Sequence, residues 1–503
     1  MNFPVLSIIT FTPLVAALIM LAIPPQRKNE VRAIALASAI FALILSAWVY
    51  FTYDQAAGGY QFIERYDWLP ALGISLYFGV DGMSTPLVLL TGVVMFTGVL
   101  ISWGDDREHV MAGIQDRPRE FFAFLFILAW GVFGVFVSLD LFMLFFFYEI
   151  AVFPMYLLIV IWGWAVTREY AAMKLTLYLF IGSVISLVGV LAMYIVQYQN
   201  TGVLTFDMLQ MESAGFSRTF QNIWFLPVFL GFAVLGGIWP FHNWSPDGHV
   251  AAPTAVSMFH AGVLMKLGAF AALRVGIMLL PEGARYWQWL IMFFAAVAVV
   301  YGAYIAFVQT DFKYMVGFSS VSHMGLVMLG FSTLNREGLL GSGLQMFSHG
   351  VMTALFFAVV GMIYDRAHTR QIPELGGMNK VMPFAAIGFI IGGLVSMGMP
   401  SFSGFVAEFP IFLGVWKEQW LVAVISSISI VITAGYILLN VRKVFFGQMP
   451  EHFEGHLTDI TVLDKVALAT LCLFMILLGI YPNFMVPMVD KGVENILRLL
   501  GGI

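Results

Sequence analysis

Five ionisable side chains lie inside segments of this sequence that are otherwise almost entirely apolar: Glu149, Lys266, His323, His349 and Glu408. Glu149 is the clearest case, because the run from Leu141 to Val160 contains no other charged residue. A charge at the centre of a bilayer costs roughly 2.5–3.5 kcal/mol on insertion scales, so such groups usually face a partner or a hydrated cavity. Two acids, a base and two imidazoles at that depth are typical of a proton path.

The composition is that of a polytopic membrane protein. The 503 residues are 60% hydrophobic and only 11% charged, and the mean hydropathy is +0.90. Soluble domains carry about 25% charged residues. The net charge of −5 is spread over short loops, so nucleic acid is not expected as a partner, whereas lipid is.

Redox and metal chemistry are not expected in this chain. Its one cysteine, Cys472, lies in an apolar run, which excludes a disulfide framework and a cysteine cluster. The spacing of histidines and carboxylates matches no zinc or haem signature. The sequence also contains no Gly-rich nucleotide loop, so we expect neither a metal site nor a bound cofactor.

Apolar runs of about 20 residues predict an all-α fold with about fourteen transmembrane helices. The N-terminal run lacks a basic flank, so we interpret it as the first helix rather than as a cleaved signal peptide. The predicted spans lie near residues 3–24, 31–53, 82–103, 120–138, 141–162, 171–197, 222–245, 253–280, 286–309, 314–332, 339–364, 381–411, 419–445 and 463–488.

Two predicted spans are interrupted in a similar way. The seventh contains Gly236, Gly237 and Pro240, and the twelfth contains Gly398 and Pro400. Broken helices in corresponding positions indicate inverted transporter repeats, although simple kinking is the alternative interpretation. We therefore predict helices 1–3 in residues 1–110, a first repeat (helices 4–8) in 111–280, a second, inverted repeat (helices 9–13) in 281–447, and helix 14 with a tail in 448–503.

The basic residues of the loops predict the orientation in the membrane. With the N-terminus outside, the inner loops, including the one with Arg107, hold 15 of the 24 Lys and Arg residues and the outer segments hold 8. This bias predicts that both termini lie on the outer side of a bacterial-type plasma membrane.

Each of the five groups also has a plainer interpretation. Glu149 could be a carboxyl that stays protonated, and Lys266 could pair with a carboxylate or extend its amino group to an interface. His323 and His349, on adjacent predicted helices, could form a proton relay or could simply pack. Glu408 could end a channel or couple it to a neighbour.

A second histidine group lies at and after the break in the seventh span. His242 and His249, with Asp247 between them, could line a water path or cap the broken helix. His260, one to two turns before Lys266, is a further titratable group in an apolar run, and packing explains it equally well.

The stretch from Pro240 to Arg274 resembles the antiporter-like subunits of respiratory complex I. The matching features are Pro240 and His242, a Trp-x-Pro-Asp-x-His motif from Trp244 to His249, an Ala-Pro-Thr from Ala252, and Lys266 on the next helix. Residues 312–325 and 399–408 also resemble blocks of this family. Within it, the chain is most similar to the M-type (mitochondrial subunit 4-type) members, which carry Glu on the twelfth helix.

The resemblance implies roles for the five residues in proton transfer. Glu149 matches the glutamate of helix five and Lys266 the bridging lysine of helix eight. His323 and His349 match the connecting histidines, and Glu408 matches the terminal acid of helix twelve. One departure is serious: the family has a lysine on helix seven that pairs with the helix-five glutamate, and this sequence has Leu235 there. His260 could compensate for that loss.

These observations predict a proton-translocating membrane-arm subunit of NADH:quinone oxidoreductase. By resemblance it belongs to a translocase as a non-redox subunit, contacts L-like and N-like membrane subunits, and depends on peripheral subunits for electron transfer. One alternative is a subunit of a cation/proton antiporter or of a membrane-bound hydrogenase. Another, motivated by Leu235, is a structural subunit that has lost pumping.

Overall fold

The computed structural model describes residues 3–103, 114 and 116–501. Within those residues it contains 13 helices that are long and apolar enough to cross a membrane, and its only sheet is a two-stranded hairpin. The expectation of an all-α polytopic membrane protein is therefore confirmed. Arg107 and the predicted boundary at residue 110 lie outside the described residues.

The N-terminal part combines three membrane helices with a hairpin that the sequence did not predict. The two strands pair antiparallel, and the buried carboxylate of Glu64 accepts hydrogen bonds from the backbone of Leu6 and Ser7, which ties the hairpin to the first helix. The elements are α1 (Val5–Ala22), α2 (Lys28–Thr52), β1 (Gln61–Leu69), β2 (Ile74–Val80) and α3 (Ser84–Ile101).

The next group of helices includes the first predicted break. The elements are α4 (Pro118–Val137), α5 (Leu141–Trp162), α6 (Arg168–Thr201), α7 (Arg218–Leu235), the short α8 (Trp244–Ala251) and α9 (Thr254–Ile277). The seventh predicted span is thus α7 plus α8, and Gly237 between them adopts a φ of +73°. An L side chain rarely adopts that conformation, so a glycine there lets the chain leave the helix.

The remaining helices include the second break. The elements are α10 (Pro281–Val308), α11 (Phe312–Ser332), α12 (Arg336–Ala367), α13 (Pro383–Ser396), α14 (Ser403–Glu418), α15 (Trp420–Phe445), α16 (Val462–Ile480) and α17 (Val486–Leu499). The twelfth predicted span is α13 plus α14, with Gly398 at a φ of +64° between them. Both interruptions are therefore confirmed, and the division of the chain into repeats stays a prediction.

The last predicted span was too long. It was expected to run over 463–488, but α16 ends at Ile480 and Pro482 opens a single 3-10 turn before α17. Helix α17 carries apolar residues along one face and charged residues along the other. The charged residues are Asp490, Lys491, Glu494 and Arg498. An amphipathic helix of this kind does not satisfy the requirement for a fully apolar span.

The centre of the bundle is formed by the helices that carry the ionisable residues. The apolar stretches of α9 and α12 are fully buried inside the protein, and that of α11 is 94% buried. By contrast, only a third of the corresponding stretches of α2 and α15 is buried. Lys266, His323 and His349 are therefore enclosed by protein rather than exposed to lipid.

The carboxyl of Asp140, which caps α5, gives the stability a pH dependence. Burial raises its pKa from 3.8 to about 6, although the backbone N–H groups of Ser75 and Met143 donate to it and oppose that rise. An acid with a raised pKa in the folded state binds its proton more tightly when folded. The resulting stabilisation is fully present below about pH 4 and is lost as the pH rises through 6.

We expect Asp140→Asn to flatten this dependence, because the amide keeps an acceptor for the helix cap but does not titrate. The measurement is the thermal midpoint of the detergent-purified protein at pH 5 and pH 7. The exposed Asp67 provides the control as Asp67→Asn. An unchanged difference between the two midpoints in Asp140→Asn would contradict the assignment.

Candidate functional site

Two glycines let α9 and α12 approach closely. A Cβ on Gly350 would lie 2.7 Å from the carbonyl oxygen of Gly262, and a Cβ on Gly262 would lie 3.2 Å from that of Gly350. Small residues at such a crossing allow backbones of membrane helices to come into contact. The crossing places Lys266 of α9, one turn beyond Gly262, against His349 of α12.

The amino group of Lys266 is fully buried and is held by two acceptors. It donates to the carbonyl oxygen of Ala261 and lies 2.9 Å from Nδ1 of His349. Ala261 belongs to a π-helical turn, His260–Leu264, and such turns occur frequently at functional sites. Among the described residues, no carboxylate lies within ion-pair distance of Lys266. The imidazole and the carbonyl are therefore the polar partners that its amino group has there.

His349 of α12 stacks on His323 of α11. Their rings lie with centroids 5.4 Å apart and planes inclined by 24°, and both residues are buried. When Lys266 donates to Nδ1 of His349, the proton of that imidazole resides on Nε2. This Nε2 has no hydrogen-bond partner in the described part of the chain, so it is free to exchange its proton.

His323 meets Glu408 in a buried triangle with Gln345. Nδ1 of His323 lies 3.1 Å from Oε1 of Glu408, and Nε2 of Gln345 lies 3.2 Å from each of those two atoms. All three side chains are at most 4% exposed. The Gln345 amide can donate to the carboxylate or to a deprotonated Nδ1, so it stabilises either distribution of the proton between His323 and Glu408.

The second helix break lies directly beside this triangle. A Cβ on Gly398 would lie 3.0 Å from Oε2 of Glu408, so a larger residue at 398 would press on the carboxylate. On the other side of the imidazole, Nε2 of His323 lies 2.9 Å from Oγ of Ser396, the last residue of α13. Both nitrogens of His323 are therefore engaged by polar side chains.

The first helix break carries a second group of imidazoles. The rings of His249 and His260 lie with centroids 4.2 Å apart, both residues are fully buried, and Nε2 of His249 lies 2.9 Å from Oγ of Ser245. A Cβ on Gly248 would lie 3.0 Å from His260, so that glycine leaves room for the ring. His242 is also buried, and neither of its ring nitrogens has a partner among the described residues.

Glu149 is not joined to these groups by direct contact. The residue as a whole is partly exposed, its carboxyl lies beside the Ser183 hydroxyl, and its Oε1 is buried without a partner in the described structure. Leu235, which replaces the expected lysine, is fully buried at the end of α7. The backbone of Leu235 and Gly236 packs against Gly268, two residues from Lys266, so the apolar side chain stands close to the path.

The structure thus gathers four of the five predicted residues into one buried chain of Lys266, His349, His323 and Glu408. It leaves Glu149 outside that chain and adds the histidines of the first break beside it. An amine, two imidazoles and a carboxylate in sequence can pass a proton stepwise, because each group binds and releases one. In the described part of the chain, no group of three His, Cys, Asp or Glu side chains could hold a metal ion.

Sequence reasoning missed several polar neutral residues of the site, chiefly Gln345 and Ser396. Gln345 precedes His349 by four residues in a helix, so it shares the same face and could have been found from that spacing. Ser396 comes from α13 and reaches His323 only through the tertiary fold, and its local sequence offers no such signal.

Known proteins resemble this chain over almost its full length. A family profile described as NADH:quinone oxidoreductase/Mrp antiporter, TM matches residues 138–433, a range that includes Glu149, Lys266, His323, His349 and Glu408. NADH-quinone oxidoreductase subunit M of Rhodobacter capsulatus is 34% identical over 98% of this chain and 96% of its own length.

Solved structures share the fold. A chain of respiratory complex I from Thermus thermophilus, determined with bound NADH, superposes with a TM-score of 0.88 at 26% identity, covering 99% of this chain and 100% of the other. A chain of the Mrp complex from a Dietzia species superposes with a TM-score of 0.84 over 99% and 100% of the two chains. At 19% identity, the second likeness concerns the fold alone.

We expect Gln345→Leu to destabilise the site, because the leucine leaves Glu408 and His323 without the amide donor. Loss of a buried hydrogen-bond partner costs roughly 1–3 kcal/mol in the free energy of unfolding. The measurement is denaturant unfolding of the purified protein in detergent, with Gln288→Leu, at a partly buried position near the helix ends, as the control. Equal stability of Gln345→Leu and the parent would show that the triangle is not stabilising.

Proposed function

This chain belongs to the NADH:quinone oxidoreductase/Mrp antiporter family of membrane subunits, and we infer that it is the proton-translocating M-type subunit of a respiratory complex I. It is a multi-pass integral membrane protein that works among other membrane subunits, and it is part of an oxidoreductase complex. Electron transfer takes place in other, peripheral subunits, and this chain contributes a proton path. Its direct neighbours in the membrane are an L-like and an N-like subunit.

The observation that carries this proposal is the buried chain from Lys266 to Glu408. Its contacts of 2.9 Å between Lys266 and His349 and of 3.1 Å between His323 and Glu408 lie in the most deeply enclosed helices of the bundle. Burying such groups is costly unless they are paired. A purely structural core would be more stable with apolar residues there, so function accounts for their presence.

In the mechanism that we propose, a change in charge at one end of the chain shifts the proton along it. A proton that reaches Lys266 raises the cost of a second positive charge on His349, 2.9 Å away. His349 therefore does not hold two extra protons: it takes up the arriving proton at Nδ1 as it releases its own from Nε2, and the proton moves on through His323 toward the carboxylate of Glu408. Emptying Glu408 on one side of the membrane then allows Lys266 to be reloaded.

The entry to this chain begins at Glu149 in our proposal, with water and the histidines of the first break between Glu149 and Lys266. His242, His249 and His260 have ring nitrogens without partners in the described structure, as groups that contact water in a path would have. Both termini lie on the outer side of the membrane, as the distribution of basic loop residues favours.

We expect Lys266→Met to abolish redox-driven proton translocation in vesicles that contain the assembled complex. A positioned proton-transfer group contributes typically 10²–10⁴-fold, so coupled turnover should fall by about 10²-fold or more. Lys465→Met, at an exposed position outside the bundle core, is the control. Full pumping by an assembled Lys266→Met complex would refute the proposed function.

Glu149→Gln tests whether this subunit pumps protons or has a purely structural role. The amide keeps the size of the side chain but cannot take up a proton, so we expect pumping and turnover to fall together while assembly is unaffected. If the proton-to-electron ratio and turnover both stay at the parent's values, Glu149 is not in the path. The loss of the lysine at Leu235 would then have made this end of the path inactive.

A further inference from the structure

The short helix α8, which follows the first break, is packed tightly against three other helices. The seventh span is interrupted between α7 and α8, so the backbone hydrogen bonds of α7 do not continue into α8. A Cβ on Gly248 would lie 3.0 Å from Leu175 of α6 and 3.0 Å from His260 of α9. A Cβ on Gly317 of α11 would lie 3.2 Å from Cα of Pro246. Helix α8 therefore occupies a slot between α6, α9 and α11.

Asp247 connects α8 to both α6 and α11. Its Oδ2 lies 2.7 Å from Nζ of Lys174 in α6, and its Oδ1 accepts a hydrogen bond of 2.9 Å from the hydroxyl of Tyr314 in α11. The side chains of Lys174 and Asp247 are only 20% and 22% exposed. The other seven residues of α8 are buried, so the carboxylate lies at the one partly exposed position of the helix. Each oxygen of this carboxylate thus has a partner on a different helix.

The spacing along α8 directs His249 away from Asp247 and toward the other histidine of the first break. Two residues correspond to about 200° of rotation in an α-helix, so the two side chains point to nearly opposite sides. Ser245 precedes His249 by four residues and shares its face, where Oγ of Ser245 lies 2.9 Å from Nε2 of His249. His249 also meets His260, with the ring centroids 4.2 Å apart. A contact that fixes Asp247 therefore also fixes the direction of His249.

We propose that Asp247 is a positioning residue that fixes the rotation of α8. With its carboxylate held from α6 and α11, α8 keeps His249 in contact with His260. This inference rests on the proposed function, because it concerns the histidines at the entry to the same path. Asp247 acts through the helix, since the hydrogen-bond partners of its carboxylate in the described structure are Lys174 and Tyr314 and not a residue of the path.

A purely stabilising role is the competing explanation, since an ion pair near a surface can add slightly to stability without any part in function. A double-mutant cycle of Asp247→Ala with His249→Asn separates the two, because residues that act together give non-additive effects and independent sites give additive ones. Lys174→Met and Tyr314→Phe each remove one partner of the carboxylate, and Lys174→Arg retains the positive charge. Glu337→Ala is the matched control, because Glu337 is a partly buried carboxylate that also pairs with a lysine of another helix, outside the path.

The experiment measures quinone-dependent turnover and proton translocation in vesicles that contain the assembled complex, at equal complex content. We expect Asp247→Ala and His249→Asn each to lower coupled turnover by about tenfold, since a misplaced group can cost about 10²-fold and water partly replaces it. In the His249→Asn background, Asp247→Ala should cost less than about twofold. Lys174→Met and Tyr314→Phe should each cost less than Asp247→Ala. Lys174→Arg should match the parent, and Glu337→Ala should stay within about twofold of it.

Lys266→Met in the same preparation distinguishes two failures. If Lys266→Met stops pumping while Asp247→Ala or His249→Asn pumps like the parent, the positioning role does not exist and the proposed function stands. If Lys266→Met itself pumps normally, the proposed function fails, and the positioning role fails with it. An equal loss from Asp247→Ala in the parent and in the His249→Asn background would also overturn the proposal, because the carboxylate would then act independently of His249.

Discussion

The free-energy cost of a polar or charged group in hydrocarbon governs how this bundle is arranged. Because such a group must be enclosed and partnered, the helices that carry Lys266, His323 and His349 occupy the centre, and the more apolar helices surround them. The same cost explains the partners found there. The amine of Lys266 reaches a backbone carbonyl and an imidazole, and the carboxylate of Glu408 reaches an imidazole and an amide. The surrounding apolar helices isolate these partnered groups from lipid.

Irregular backbone occurs where the polar groups need it. The two interruptions, at Gly237 and Gly398, release backbone groups inside the bundle, where protein can satisfy them. The first borders the histidines of α8 and α9, and the second borders Glu408. Close approach of α9 and α12 at Gly262 and Gly350 supplies the remaining requirement, because longer side chains would hold Lys266 away from His349. Glycines therefore lie both at the two helix interruptions and at the close contact between α9 and α12.

Much of this arrangement could be predicted from the sequence, because bilayer thickness dictates the length of each apolar run. The spans and the ionisable residues within them follow from that constraint, and both interruptions follow from the Gly and Pro residues inside the apolar runs. The hairpin of residues 61–80 and the end of α16 at Ile480, where Pro482 opens a 3-10 turn, were not predicted. Within the site, spacing along α12 could have indicated Gln345, but Ser396 meets His323 only in the folded bundle. The separation of Glu149 from Lys266 likewise depends on how α5 packs.

The central claim is that His323 and His349 change protonation while the complex works. Infrared difference spectroscopy on the complex, with isotope-labelled histidine and reduction by its substrate as the trigger, measures this directly. Our account predicts labelled imidazole bands of gain and loss of a proton, and it predicts that bands assigned to His323 disappear in His323→Gln together with proton translocation. Vigorous pumping with no imidazole protonation signal that depends on His323 would contradict it.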